Sequence, residues 1–175
     1  MKLTEKIKAN VTEIENRNDL SEQEKVDRLI VIGSTFCSGI AVQPIPFADI
    51  FILTPVQAYF ASRISKVRQV PVSESEFHVF IKELMGIAGM GIIAQNLGIA
   101  VSKVAIPGLG SLLTIPLVFS LSYAILKVCD IYFQKKQNGT PLTPDEIKEL
   151  FKKYREEGKT RGKGINKSDI EDLNK

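Results

Sequence analysis

The chain has 175 residues, 44% of them hydrophobic and 25% charged, with a formal net charge of +3, the averages of one ordinary domain rather than of a fibrous or low-complexity protein. Cys37 and Cys129 both lie in apolar runs; two such residues exclude a disulfide framework and read as buried thiols in a reducing compartment. Charge is divided sharply along the chain: residues 1–28 carry six Lys/Arg and seven Asp/Glu, residues 29–133 only six and five, and residues 134–175 eleven and eight.

In chain order, Leu3, Ile7, Val11 and Ile14 are spaced at three and four, which predicts an exposed amphipathic helix over about the first sixteen residues. Nine charged residues over 9–28 stand where an export signal would need its apolar stretch, so no cleaved signal is expected. Ser21 with Glu24 spells a capping box, predicting a helix from there through Leu29–Val42. Pro44-Ile45-Pro46-Phe47-Ala48-Asp49 reads as a tight turn, with Asp49 capping a helix over about 50–68. Ser73 with Glu76, or Ser75, starts a third helix that runs through Gly86, Gly89, Gly91 and Gly98 to about residue 105. Pro107-Gly108-Leu109-Gly110 makes the second turn, and a fourth helix covers about 112–136. Thr143 at the N-cap and Pro144 at the first helical position open a last helix, expected to end near Gly158. The remaining polar residues read as a disordered basic tail.

The expected fold is therefore all-α. Two helical hairpins, four long apolar helices in all, carry peripheral N- and C-terminal amphipathic helices. The divisions fall at 1–20, 21–137, 143–158 and 159–175. Both turns are expected at one end of the molecule, with residues 63–83 and both termini at the other, because short connections force antiparallel neighbours. Shifted by 61 positions, Ile45, Pro46, Pro55, Ile64, Lys66 and Val67 fall on Ile106, Pro107, Pro116, Ile125, Lys127 and Val128. A duplicated hairpin and chance likeness between two apolar hairpins both fit that match.

Four runs lack charge: 29–48, 50–62, 85–102 and 104–126, of 20, 13, 18 and 23 residues. About 20 apolar residues cross a bilayer, so three suffice by length. Gly86, Gly89, Gly91 and Gly98 weaken a helix in water by roughly 1 kcal/mol each, whereas small residues let helices pack closely in lipid. Membrane insertion is the leading expectation. A soluble bundle, or a homo-oligomer that buries the same faces, is the alternative. Basic residues at Arg63, Lys66, Arg68, Lys82, Lys135 and Lys136 place the open ends and termini in the cytoplasm by the positive-inside rule.

No catalytic constellation emerges. Gly158-Lys159-Thr160 imitates a phosphate-binding loop, but Lys153 stands where its first glycine belongs and a helix, not a strand, precedes it; a solvated tail is the better reading. The spacing of Gly86, Gly89 and Gly91 is not that of a dinucleotide fingerprint. His78 is the only histidine, which speaks against a metal site or a triad, and Glu74 with Glu76 reads as a solvated helix start. No cofactor is expected. The basic tail lacks interleaved aromatics, so lipid headgroups suit it better than nucleic acid. Ser34, Thr35, Ser38, Gln95 and Asn96 leave a pore as a third, weaker alternative.

Pro44-Ile-Pro-Phe-Ala-Asp-Ile with Leu53-Thr54 and Gln57, then Gly86-Ile-Ala-Gly-Met-Gly with Ala94-Gln95, Ile106-Pro107-Gly108-Leu109-Gly110 and the Thr143-Pro144-Asp145-Glu146 helix resemble the family called domain of unknown function 697. The resemblance covers about residues 25–157. It implies a helical, membrane-associated module of the kind often joined to an Era-like GTPase domain. No such domain is expected here, so the implied partner is a separate P-loop GTPase. The implied role is an anchor or scaffold, without catalytic residues.

Overall fold

The computed structural model describes residues 5–41, 48–73, 75–77, 79, 80, 84, 86, 110–165, 168 and 169, and these are mostly helical, with no strand among them. Five helices have defined bounds: α1 (Glu5–Asn16), α2 (Glu22–Ala41), α3 (Ala48–Val67), α4 (Gly110–Gln137) and α5 (Pro144–Gly162). The described residues of 75–86 are helical as well.

Helix starts follow local chemistry. The Ser21 hydroxyl accepts from the Glu24 backbone while the Glu24 carboxylate accepts from Ser21 N. Ser73 with Glu76 and Thr143 with Glu146 repeat this exchange. Each box satisfies two N–H groups that a helix start leaves bare. Two helices end on left-handed residues, Gln69 (φ 56°) and Gly139 (φ 69°). Val70 N returns to Ser65 O and Thr140 N to Lys135 O, the bonding of a Schellman cap.

The three capping carboxylates are held below their ordinary range. Backbone and hydroxyl donors on Ser21 and Thr143 lower Glu24 and Glu146. The Ser73 backbone N–H, followed by Lys136, takes Glu76 down to about 2. A depressed carboxylate stabilises the fold above its unfolded value, near 4.5 for Glu76, and that stabilisation is lost as pH falls through the folded value. The urea midpoint should accordingly hold steady down to about pH 5 and drop between there and pH 2, with a shallower drop in Glu76→Gln; a midpoint independent of pH over that range would contradict the caps.

The directions of the helices follow from their contacts. Gln23 meets Arg68, and a Cβ built on Gly33 would reach Phe60, so α2 and α3 are antiparallel. Asp27 meets Lys127 and Gly33 meets Leu126, so α2 and α4 are antiparallel too. Gln57 bonds Ser122 and Arg68 bonds Asp130, which makes α3 and α4 parallel. The end of α2 and the starts of α3 and α4 therefore share one end of the molecule. The capping boxes at Ser21 and Ser73 and the ends of α3 and α4 sit at the other.

The core is one cluster fed by every helix, with Phe60, Phe119, Tyr123, Phe133, Leu29, Ile64 and Leu126 almost wholly enclosed. Among the described residues Val79 is the one large apolar side chain left exposed.

Several expectations change. Residues Ile7, Val11 and Ile14 are buried, so α1 lays its apolar stripe on the bundle. Helix α3 starts at Ala48, which puts Asp49 inside its first turn and not at the cap. Gly110 is the first residue of α4, so it belongs to the helix and not to the turn before it. Helix α5 continues through Gly158 to Gly162 and is not peripheral. It runs antiparallel to α4, with Glu157 on Tyr123, Gly158 on Ser120 and Gly162 on Pro116. The chain after α5 thus returns toward the start of α4, away from the end expected for the C-terminus.

Candidate membrane-entry helix and its cover

One helix among the described residues, Ile115–Gln137, is long and apolar enough to cross a membrane, and 72% of its most apolar stretch is buried in the bundle. Its sequence, LVFSLSYAILKVC from Leu117 to Cys129, leaves no polar stripe at the helical period, so α4 must be covered on all sides to sit in water. Helices α2 and α3 form a groove for one side. Helix α5 closes another.

The closure by α5 depends on small residues. A Cβ on Gly158 would lie 2.8 Å from Ser120 Cα, and one on Gly162 would lie 3.1 Å from both Pro116 Cα and Pro116 O. Both contacts are with backbone, which cannot swing aside. Ile147, Phe151, Gly158 and Gly162 are buried, with Leu150 and Tyr154 partly so. Along the rim, the Tyr123 hydroxyl donates to Glu157 at 2.6 Å, Arg161 Nε donates to the same carboxylate at 3.0 Å, and Lys127 Nζ stands over the rings of Tyr123 and Tyr154. The opposite face of α5 carries Lys148, Glu149, Lys152, Lys153 and Glu156 to solvent.

Most polar groups inside the bundle are matched, with Arg155 Nε, Arg63 Nε and Glu15 Oε1 the buried side-chain atoms among the described residues that make no hydrogen bond. Arg68 Nε donates to Asp130 Oδ1 at 2.7 Å and its Nη2 to Oδ2 at 3.1 Å; the side chains are 10% and 4% exposed. Gln23 Oε1 accepts from Arg68 Nη2 at 2.6 Å, and Gln134 Nε2 donates to Asp130 Oδ2 at 3.0 Å. This network ties α2, α3 and α4. Lys127 Nζ adds a bond to Asp27 at 2.6 Å. Glu15, on α1, accepts Arg63 Nη2 at 2.6 Å and Lys66 Nζ at 3.0 Å on one oxygen. Its other oxygen lies 2.5 Å from Arg63 Nε without the angle of a hydrogen bond, so that approach is ion pairing alone. With Lys136 Nζ on Glu76 at 3.0 Å, four of the cations expected to mark a cytoplasmic face thus have carboxylate partners in the fold.

The candidate residues of the sequence divide as follows. Pro44, Pro46, Pro107, Gly108, Gly89, Gly91 and Gly98 lie outside the described residues, as do Glu74, His78, Gln95 and Asn96. Gly86 is helical, and an added Cβ there meets none of the described residues within 4 Å. Among the described residues, helix separations are set by Gly158, Gly162 and Gly33, whose Cβ would lie 2.7 Å from the Phe60 ring. Ser34, Thr35 and Ser38 each donate to the carbonyl four residues back, at 2.7 to 2.9 Å, so their hydroxyls are spent on α2 itself.

A cleft of about 450 Å³ is lined by Pro55, Tyr59, Ser62, Ser65, Val72 and Phe77 among others. Its Ser62 and Ser65 hydroxyls donate to backbone carbonyls, and no base stands among the lining residues. No group of His, Cys, Asp and Glu among the described residues could hold a metal ion. No family model matches the chain, and no curated protein or solved structure matches it either.

Proposed function

We propose that the protein is a non-enzymatic, membrane-associated anchor or scaffold of two helical hairpins, with cytoplasmic charged ends that recruit a P-loop GTPase. The observation that carries the reading is the polarity of the molecule. The end of α2 and the starts of α3 and α4 converge on one end, and the segments that continue from them, 42–62 and 85–126, hold Asp49 and Lys103 as their only charges. The opposite end carries the ion pairs of Glu15, Arg63, Lys66, Arg68 and Asp130. Charge-poor segments continuing from one end, beside which the charged α5 packs, suit a protein that dips into a bilayer from one side once that helix moves away. The GTPase partner rests on the resemblance of the turn, glycine and C-terminal helix residues given above.

Flotation of the full chain with phosphatidylcholine–phosphatidylglycerol vesicles tests this directly. The protein should rise with the vesicles and resist extraction by high salt. Recovery as a compact monomer in the vesicle-free fraction would refute membrane association.

A soluble interaction module, self-associated or covered by a partner, is the second reading. It is favoured by the packing of α5, whose nineteen residues include eleven charged ones, against the helix that would have to cross. A defined oligomer in detergent-free buffer, with no vesicle binding, would select it.

A further inference from the structure

We infer that α5 is a releasable cover for α4: packed, it keeps α4 soluble, and swung away, it frees the Ile115–Leu126 face for lipid. The inference rests on the membrane reading and specifies how insertion is controlled. Helix α5 lies along the first half of the candidate span, from Lys127 back to Pro116. It cannot follow α4 into hydrocarbon, because charged side chains such as Lys152, Lys153, Glu156 and Lys159 are strongly disfavoured at bilayer depth. The packed arrangement and a spanning α4 therefore exclude one another.

The fold provides what release requires. Helix α5 carries its own capping box at Thr143 and Glu146, so it remains a helix start when detached. The connection to α4 is the short stretch 138–143, exposed except for the half-buried Leu142 that packs on the core, and it turns on Gly139 in the left-handed region. The seam itself is the most extensive between any two helices among the described residues, so release requires a competing apolar surface such as lipid to take its place. Its closest points are two glycines on backbone, and its rim is one tyrosine–carboxylate bond with lysine and arginine over aromatic faces. Once α5 is detached, its lysine-bearing face meets the headgroups of an anionic surface.

The test uses the full chain with Cys37→Ser and Cys129→Ala, and flotation with the same vesicles. In one form, Lys127→Cys and Tyr154→Cys are joined by a short bismaleimide, holding α5 on α4. In the other, Gly158→Leu and Gly162→Leu wedge the helices apart. The joined form should need about tenfold more lipid for half-maximal flotation than the same protein left unjoined, and the wedged form about tenfold less than the parent. Should the wedged form aggregate, the joined and unjoined forms decide alone. Equal flotation of joined and unjoined protein overturns the cover while leaving membrane association standing. No flotation by any form, the wedged one included, overturns both.

Discussion

Asp130→Ala should lower the free energy of unfolding by about 3–5 kcal/mol, the cost of leaving a buried charge without its partner. Arg68 is the residue stranded. Its guanidinium sits between α2 and α4 with bonds to Gln23 and to both oxygens of Asp130, and burial denies it water as a substitute. The pair as a whole carries no such value, since desolvating two charges offsets most of their attraction. The double variant Arg68→Met/Asp130→Leu should accordingly lie within about 1 kcal/mol of the parent. Urea titrations of the three proteins make the comparison. A single variant as stable as the parent would show that Arg68 reaches water in the native state.

Phe60→Ala should cost about 3–5 kcal/mol, because the ring is wholly enclosed and its loss leaves a cavity. Gly33→Ala should cost about 1–3 kcal/mol by overpacking, since its methyl would lie 2.7 Å from the Phe60 ring and 3.0 Å from Leu126. The two effects have opposite volume and meet at one point. The double variant should therefore be more stable than the sum of the single losses predicts, by about 1 kcal/mol or more. Additivity within about 0.5 kcal/mol would mean that α2 and α3 shift apart instead of keeping the contact.

What the sequence made legible was local. The boxes at Ser21, Ser73 and Thr143 join residues three apart, and the helix boundaries follow within a few positions. The apolar stripe of α1 was readable for the same reason, but not what it packs on. Gly158, expected to close the last helix and to open a solvated stretch with Lys159 and Thr160, instead packs on Ser120 inside that helix. The signal was nonetheless present: Ile147, Phe151, Tyr154, Gly158 and Gly162 are spaced by four, three, four and four, one continuous face on which glycine takes over from large side chains. Gly33 likewise interrupts the stripe of Leu29, Ile30, Phe36, Cys37 and Ile40. The pairing of Arg68 with Asp130 had no such trace. A lone arginine at a helix end resembles any cation that favours that position, and nothing local points to a carboxylate so far along the chain.

That separation, sixty-two residues, also sets an order of events during synthesis. Helices α2 and α3 are complete before α4 exists, so Leu29, Phe60 and Ile64 line a groove that stands open while the intervening residues are made. At about 5–20 residues per second the interval lasts seconds, far longer than the microseconds in which a helix forms. The nascent chain thus passes through a stage with an empty apolar groove and an uncompensated guanidinium.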